Sequence, residues 1–291
     1  MTAGERRHRP ALLAQVVALV LVAGICGGFA FALAGPARHV AHQGQAATPP
    51  RPPRPAPPTV LNSAHCKPPP QHPDPVVLVP GTFDATSWAL IGPALARRGY
   101  CVSMIDYGNG GTVDIRRSAH QLATDVRRIL ARTGAHQVAI VGHSEGGMMP
   151  RYYIKQLAGA GKVSDLVALS PSNHGTTNPL ALMGALSGCT ACGQQLTYGS
   201  TFLQRLNAGS ETPPPVDYTV VQTRYDLVIT PYQSAFLNGP GARVTNVTLQ
   251  DRCPGDQVGH LDVPTDPVAL QWVEDALAVD GPASPSFRPT C

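Results

Sequence analysis

The sequence predicts an α/β fold, a mostly parallel sheet flanked by helices, with an insertion near the site that its loops would form. Three observations lead there. From residue 76 onward, short uninterrupted apolar runs alternate with helix-period segments, the rhythm of parallel strands joined by crossover helices. One strand-to-helix turn carries glycines on both sides of a serine, in Gly142-His143-Ser144-Glu145-Gly146-Gly147. A chain of 291 residues that is 43% hydrophobic and 14% charged can also fill one sizeable core, unlike a disordered chain or a coiled coil.

Residues 11–35 are apolar or small almost throughout, and Arg6, Arg7 and Arg9 precede them. This is the pattern of a signal peptide or signal anchor over residues 1–35, long enough to reach the roughly 20 residues that span a bilayer. Ala32-Leu33-Ala34 offers a small-x-small cleavage site. The basic flank keeps the N-terminus in the cytoplasm, so the remainder is expected to be secreted or held on the outer face of the membrane, with residues 11–35 as a possible tether. Ile25 in front of Cys26 does not suit lipidation. Residues 36–65 form a Pro-rich linker: twelve prolines fall between Pro49 and Pro75, and large apolar groups are too few to offset ordering of the backbone.

The catalytic-size domain is expected over residues 66–291. Residues 76–79 read as a buried strand, 87–98 as a helix with Trp88, Ile91 and Leu95 on one face, and 100–105 as a second strand. Residues 114–133 form a helix stopped by Gly134. The strand 137–141 runs into the serine turn, and a helical pattern resumes over 148–157. Strands follow at 163–169, 216–222 and 244–250, then a last helix at 267–278. The long stretch 170–215, with Leu180, Leu182, Met183, Phe202 and Leu203, is expected to cover the site as an acyl wall or lid, or to be a clipped surface insertion.

The formal charge is +4, but residues 1–60 hold six arginines and one acid, which leaves 16 basic and 17 acidic groups beyond them. A nearly neutral body argues against a nucleic-acid partner. Six cysteines lie outside the apolar segment, an even number suited to disulfides in an exported chain. Their order suggests Cys66 with Cys101, Cys189 with Cys192, and Cys253 with Cys291.

A serine held on a tight strand-to-helix turn takes a strained backbone, and the flanking positions must lack side chains for strand and helix to approach. Ser144 in this context reads as a nucleophile. A serine hydroxyl needs a base, and the base an acid to fix its tautomer. Asp226 lies just past the strand 216–222 and is the candidate acid, with Asp251 in reserve; of ten histidines only His260 follows both. The N–H groups of Thr82 and Glu145 are the expected oxyanion donors. The Glu145 side chain itself is expected to be exposed at the top of the turn.

These residues resemble the α/β-hydrolases, and more closely the secreted bacterial class 2 lipases and esterases. The resemblance spans about residues 66–291. It rests on Val79-Pro80-Gly81-Thr82-Phe83, Gly99-Tyr100-Cys101-Val102, Asp106-Tyr107-Gly108, the Ser144 turn, His174-Gly175-Thr176 and Gly259-His260. The first strand of that family commonly ends in His-Gly; Pro80-Gly81-Thr82 is similar instead to a turn of certain fungal lipases. The resemblance implies a Ser144, Asp226, His260 triad and a carboxylester hydrolase, of lipase or esterase type, acting on small-molecule or lipid esters through an acyl-enzyme. An acyltransferase with the same triad, or a non-enzymic cell-wall binding protein on a hydrolase scaffold, are the alternatives. No metal-ligand cluster or dinucleotide-binding glycine pattern occurs in the sequence, so no cofactor is implied.

Overall fold

The structure is a computed structural model that describes residues 65–84, 87–179, 183 and 188–291, all within the compact unit Pro55–Cys291. The expected signal or anchor at 1–35, the linker up to residue 64, and Leu180 and Leu182 lie outside the described residues.

Six strands form one sheet in the order β2-β1-β3-β4-β5-β6, with every neighbouring pair parallel. They are β1 (Val76–Val79), β2 (Val102–Met104), β3 (Val138–His143), β4 (Val163–Leu169), β5 (Asp217–Gln222) and β6 (Val244–Thr248). Strands buried on both faces need apolar residues at every position, which is why β1 is the unbroken run Val-Val-Leu-Val. Its side chains alternate between two cores. Val77 and Val79 face a layer that includes α2 (Ile115–Thr133) and α3 (Glu145–Gln156); Val76 and Leu78 face α1 (Ile91–Arg97) and the last helix. The helices end where side-chain chemistry dictates. Asp114 caps α2 by accepting from the Arg116 N–H, and Gly134 closes it at φ 80°, a left-handed conformation that costs glycine little.

The stretch 170–215 contains two short helices that periodicity did not signal, α4 (Thr190–Leu196) and α5 (Thr201–Asn207). The expected acyl-wall role of Phe202 is corrected here. Phe202 is buried in the α2–α3 core, with its ring 6.0 Å from Tyr152 and the Arg116 guanidinium 5.5 Å above it. Met183 is exposed. Arg151 of α3, fully buried, donates to Asn173 at 3.1 Å and Asn207 at 2.8 Å, fastening the insertion to the helix that follows the serine.

The last helix, α6 (Pro267–Ala276), begins with Asp266 accepting from Ala269 N–H and Pro267 in the first turn, where its missing N–H leaves no helical bond unmade. The three disulfides pair as chain order suggests: Cys66–Cys101, Cys189–Cys192 and Cys253–Cys291. Because the sheet is parallel, the segments after β1, β3, β5 and β6 emerge from one edge, where open α/β sheets bind ligands.

Candidate active site

Ser144 joins β3 to α3 with φ 52° and ψ −119°, far from any conformation an L residue prefers. The glycines explain how the turn tolerates it. A Cβ on Gly142 would lie 1.9 Å from the Gly146 carbonyl oxygen, and one on Gly146 would lie 2.1 Å from the carbonyl oxygen of Val79. Neither position admits a side chain, so the main chain of β1, the turn and α3 close together around the serine. The helix begins directly at Glu145, earlier than the apolar period at 148 implied, and its first N–H groups have no helical acceptor.

The three residues expected to act together are within hydrogen-bond reach. His260 Nδ1 stands 2.8 Å from Asp226 Oδ2, and His260 Nε2 stands 3.1 Å from Ser144 Oγ. Asp226 also accepts from the backbone N–H groups of Val228 and Ile229, both at 2.8 Å. Burial alone would raise its pKa, but the adjacent His260 ring and those two N–H groups outweigh burial and hold it below the usual carboxylate value. An ionised Asp226 can only accept. Nδ1 of His260 therefore carries the proton, and Nε2 is left to accept from the Ser144 hydroxyl. Asp251, the reserve acid, instead pairs with Arg224 on the surface.

His143 is buried and donates its Nε2–H to the His260 backbone oxygen at 2.9 Å, which fixes the loop carrying that ring. Burial lowers its pKa, opposed by Asp84, whose Oδ2 stands 3.3 Å from Nδ1. His174 is held between the Ser234 carbonyl and Glu211, at 2.9 and 3.0 Å, within the loop network.

Thr82 and Glu145 also meet, and one expectation fails. Glu145 is 0% exposed, not at the surface. Its Oε2 is hydrogen-bonded to Thr82 Oγ1 and accepts from Gln195 Nε2 at 2.8 Å. Its burial comes from β1, the Tyr107 segment and α4 closing over it, a long-range effect with no local sequence signal. Burial pushes its pKa up to about 8, and the hydrogen bonds from Thr82 and Gln195 only partly oppose that. Gln195, from α4, is a polar contributor that sequence reasoning missed. No group of metal-ligating side chains occurs among the described residues.

The family model for lipases of class 2 matches residues 73–273. Among solved structures, the chain is similar to lipase B of Aspergillus fumigatus at 25% identity and a TM-score of 0.62, over 73% of this chain and 54% of that one. It therefore spans about half the length of that lipase. It shares its fold with the mature form of Bacillus licheniformis lipase BlEst2, at 16% identity and a TM-score of 0.55 over 73% and 94% of the two chains. It likewise shares it with the lin2722 product of Listeria innocua, at 16% identity and 0.51 over 72% and 96%.

Proposed function

Because the chain belongs to the class 2 lipases, we propose that it is a carboxylester hydrolase that forms an acyl-enzyme on Ser144. The observation carrying this reading is the hydrogen-bonded series from Asp226 through His260 to Ser144, ending on a serine in a strained turn. His260 Nε2 takes the proton as Ser144 Oγ bonds to the ester carbonyl carbon. The tetrahedral oxyanion accepts from the N–H groups of Thr82 and Glu145, neither of which donates elsewhere among the described residues. The imidazolium formed is stabilised by ionised Asp226, and its proton passes to the departing alcohol as the ester bond breaks. Water, deprotonated by His260, then releases the acid and restores the serine.

Neutral, lipid-like esters suit this site better than peptides or anions. Six large apolar side chains stand exposed on the loops that carry the site residues or in the insertion: Phe83 after β1, Met183 and Tyr198 in the insertion, Tyr225 and Leu227 flanking Asp226, and Leu261 beside His260. Such a concentration of exposed apolar groups favours contact with an apolar substrate. Three disulfides support a role outside the cytoplasm, as the basic-flanked apolar segment implies. The test is to label the full chain with a fluorophosphonate and follow hydrolysis of neutral esters of increasing acyl length. We expect label on Ser144 alone and hydrolysis that Ser144→Ala abolishes. Turnover that survives this change in folded protein overturns the reading.

A further inference from the structure

Glu145 follows the proposed nucleophile directly, yet its carboxyl is sealed from water. Oε2 shares hydrogen bonds with Thr82 and Gln195, while Oε1 has no partner among the described residues. Gln195 is fully committed. Its Nε2 donates to Glu145 at 2.8 Å and to Thr82 Oγ1 at 2.7 Å, and its Oε1 accepts from Ser172 at 2.8 Å. The titratable group facing this cluster is Tyr107, whose hydroxyl donates to the Pro80 carbonyl at 2.8 Å. No Lys, Arg or His pairs with Glu145 among the described residues.

Counting protons decides what the Thr82 hydroxyl can do. Both N–H bonds of Gln195 are used, so one further proton must lie between Thr82 Oγ1 and Glu145 Oε2. If Glu145 is ionised, that proton is the threonine's own and the hydroxyl is spent. If Glu145 is neutral, the acid proton fills the gap. Thr82 Oγ1 then accepts from Glu145 and Gln195 with its two lone pairs, and its own O–H is free to point elsewhere. An ionised carboxylate here would be desolvated with one oxygen lacking any donor, the costlier state. Burial accordingly lifts the pKa to about 8. Thr82 follows Gly81, where a Cβ would stand 3.1 Å from the Ser144 Cβ, so its backbone borders the nucleophile.

We propose that neutral Glu145, held by Gln195, is a positioning residue that frees the Thr82 hydroxyl to serve as a third donor to the oxyanion. Loss of the acid proton to solvent turns the hydroxyl back and withdraws that donor. The inference rests on the ester-hydrolase reading above and adds a residue and a pH dependence to it.

The experiment measures kcat and KM of the full chain on a neutral ester from pH 6 to 10 for wild type, Thr82→Val and Thr82→Ser. Infrared spectra report the protonated carboxyl, with Glu145→Gln identifying its band. Wild-type kcat should fall at least about tenfold as pH rises, KM staying level, because one oxyanion donor typically contributes 10²–10³. The midpoint should lie near 8, where the carboxyl titrates. Thr82→Val should be about 10²-fold slower at pH 7 and flat, Thr82→Ser should keep the fall, and the acid band at pH 7 should vanish in Glu145→Gln. A flat wild-type profile, a fall that persists in Thr82→Val, or an ionised Glu145 at pH 7 overturns the inference alone. Absence of any ester turnover, with Ser144 inert to fluorophosphonate, overturns the hydrolase reading and this inference with it.

Discussion

Two buried carboxyls bracket Ser144, Asp226 through His260 and Glu145 through the adjoining peptide, and they are driven in opposite directions. Asp226 is surrounded by donors: a ring N–H and two backbone N–H groups converge on it, and its pKa is lowered despite burial. Glu145 receives too few donors for its depth, one of its oxygens receives none among the described residues, and its pKa rises to about 8. Burial is common to both. What separates them is the number of N–H groups aimed at the carboxylate, which decides whether a buried acid keeps its charge for an imidazolium or its proton for a neighbouring hydroxyl.

The largest test of that contrast removes the chemistry on the Asp226 side. Ser144→Ala and His260→Ala should each lower kcat by roughly 10⁴–10⁶, because nucleophile and base act as a unit. Residual turnover above about 1% in either folded variant would break the assignment. Asp226→Asn comes next. It keeps the shape but presents an N–H where His260 needs an acceptor, so kcat should fall about 10⁴-fold through the wrong tautomer. Asp251→Asn, which touches only an exposed arginine, should leave kcat unchanged.

Stability against pH sharpens the comparison, since the two acids contribute with opposite sign. Asp226, lowered in the folded state, stabilises above the unfolded carboxylate range and loses that contribution as pH falls through its folded pKa. Glu145, raised from 4.5 to about 8, contributes no penalty below 4.5 and destabilises progressively as pH climbs to about 8. The full penalty is about 5 kcal/mol at 1.36 kcal/mol per pKa unit. Thermal melts of Glu145→Gln and wild type should therefore diverge between pH 5 and 8, the variant gaining on wild type by up to about 10 °C. Parallel curves would show Glu145 ionised in the fold.

The smallest expected effect concerns the clip on the Glu145 side. Cys189–Cys192 closes a loop of separation 3, against 35 and 38 for the other two disulfides. By chain entropy it contributes about 2 kcal/mol, where each long loop contributes about 4. Replacing both of its cysteines by serine should cost at most that amount in urea unfolding. Its helix carries Gln195, so the alkaline fall in kcat should weaken in the same variant. A loss of stability equal to that of Cys66→Ser/Cys101→Ser would contradict the loop-length account.

The same contrast separates what the sequence disclosed from what it did not. The strands were legible because a sheet buried on both faces demands apolar residues at each position, as in β1. The serine turn was legible because its sterics are local: Gly142 and Gly146 exclude a Cβ through contacts that recur wherever a strand turns sharply into a helix. Asp226 and His260 stood out through chain order and their place after strands. Glu145 was misread as exposed because its burial comes from β1, the Tyr107 segment and α4 folding over it, three regions remote in sequence. Gln195 and the helices around it gave no signal, since a short helix with Cys, Gly and two glutamines lacks a clear apolar face. Phe202 was assigned to the site from its size and the length of its insertion, and neither fixes which side of a helix it packs against.

The wholly parallel sheet also governs how the molecule comes into being. Among the described residues no strand pairs with a hairpin partner: Val76 is matched with Val102 and with Ala139, Val138 with Val163, and Asp165 with Asp217. Every ladder must close a long loop before any pairing rewards it, which makes assembly slow and leaves apolar edges uncovered meanwhile. Asp226 and His260 follow β5 and β6, the last strands to leave the ribosome. A nascent chain can thus hold its serine turn while it still lacks the acid and base proposed to activate it, and competence arrives only when the C-terminal third docks.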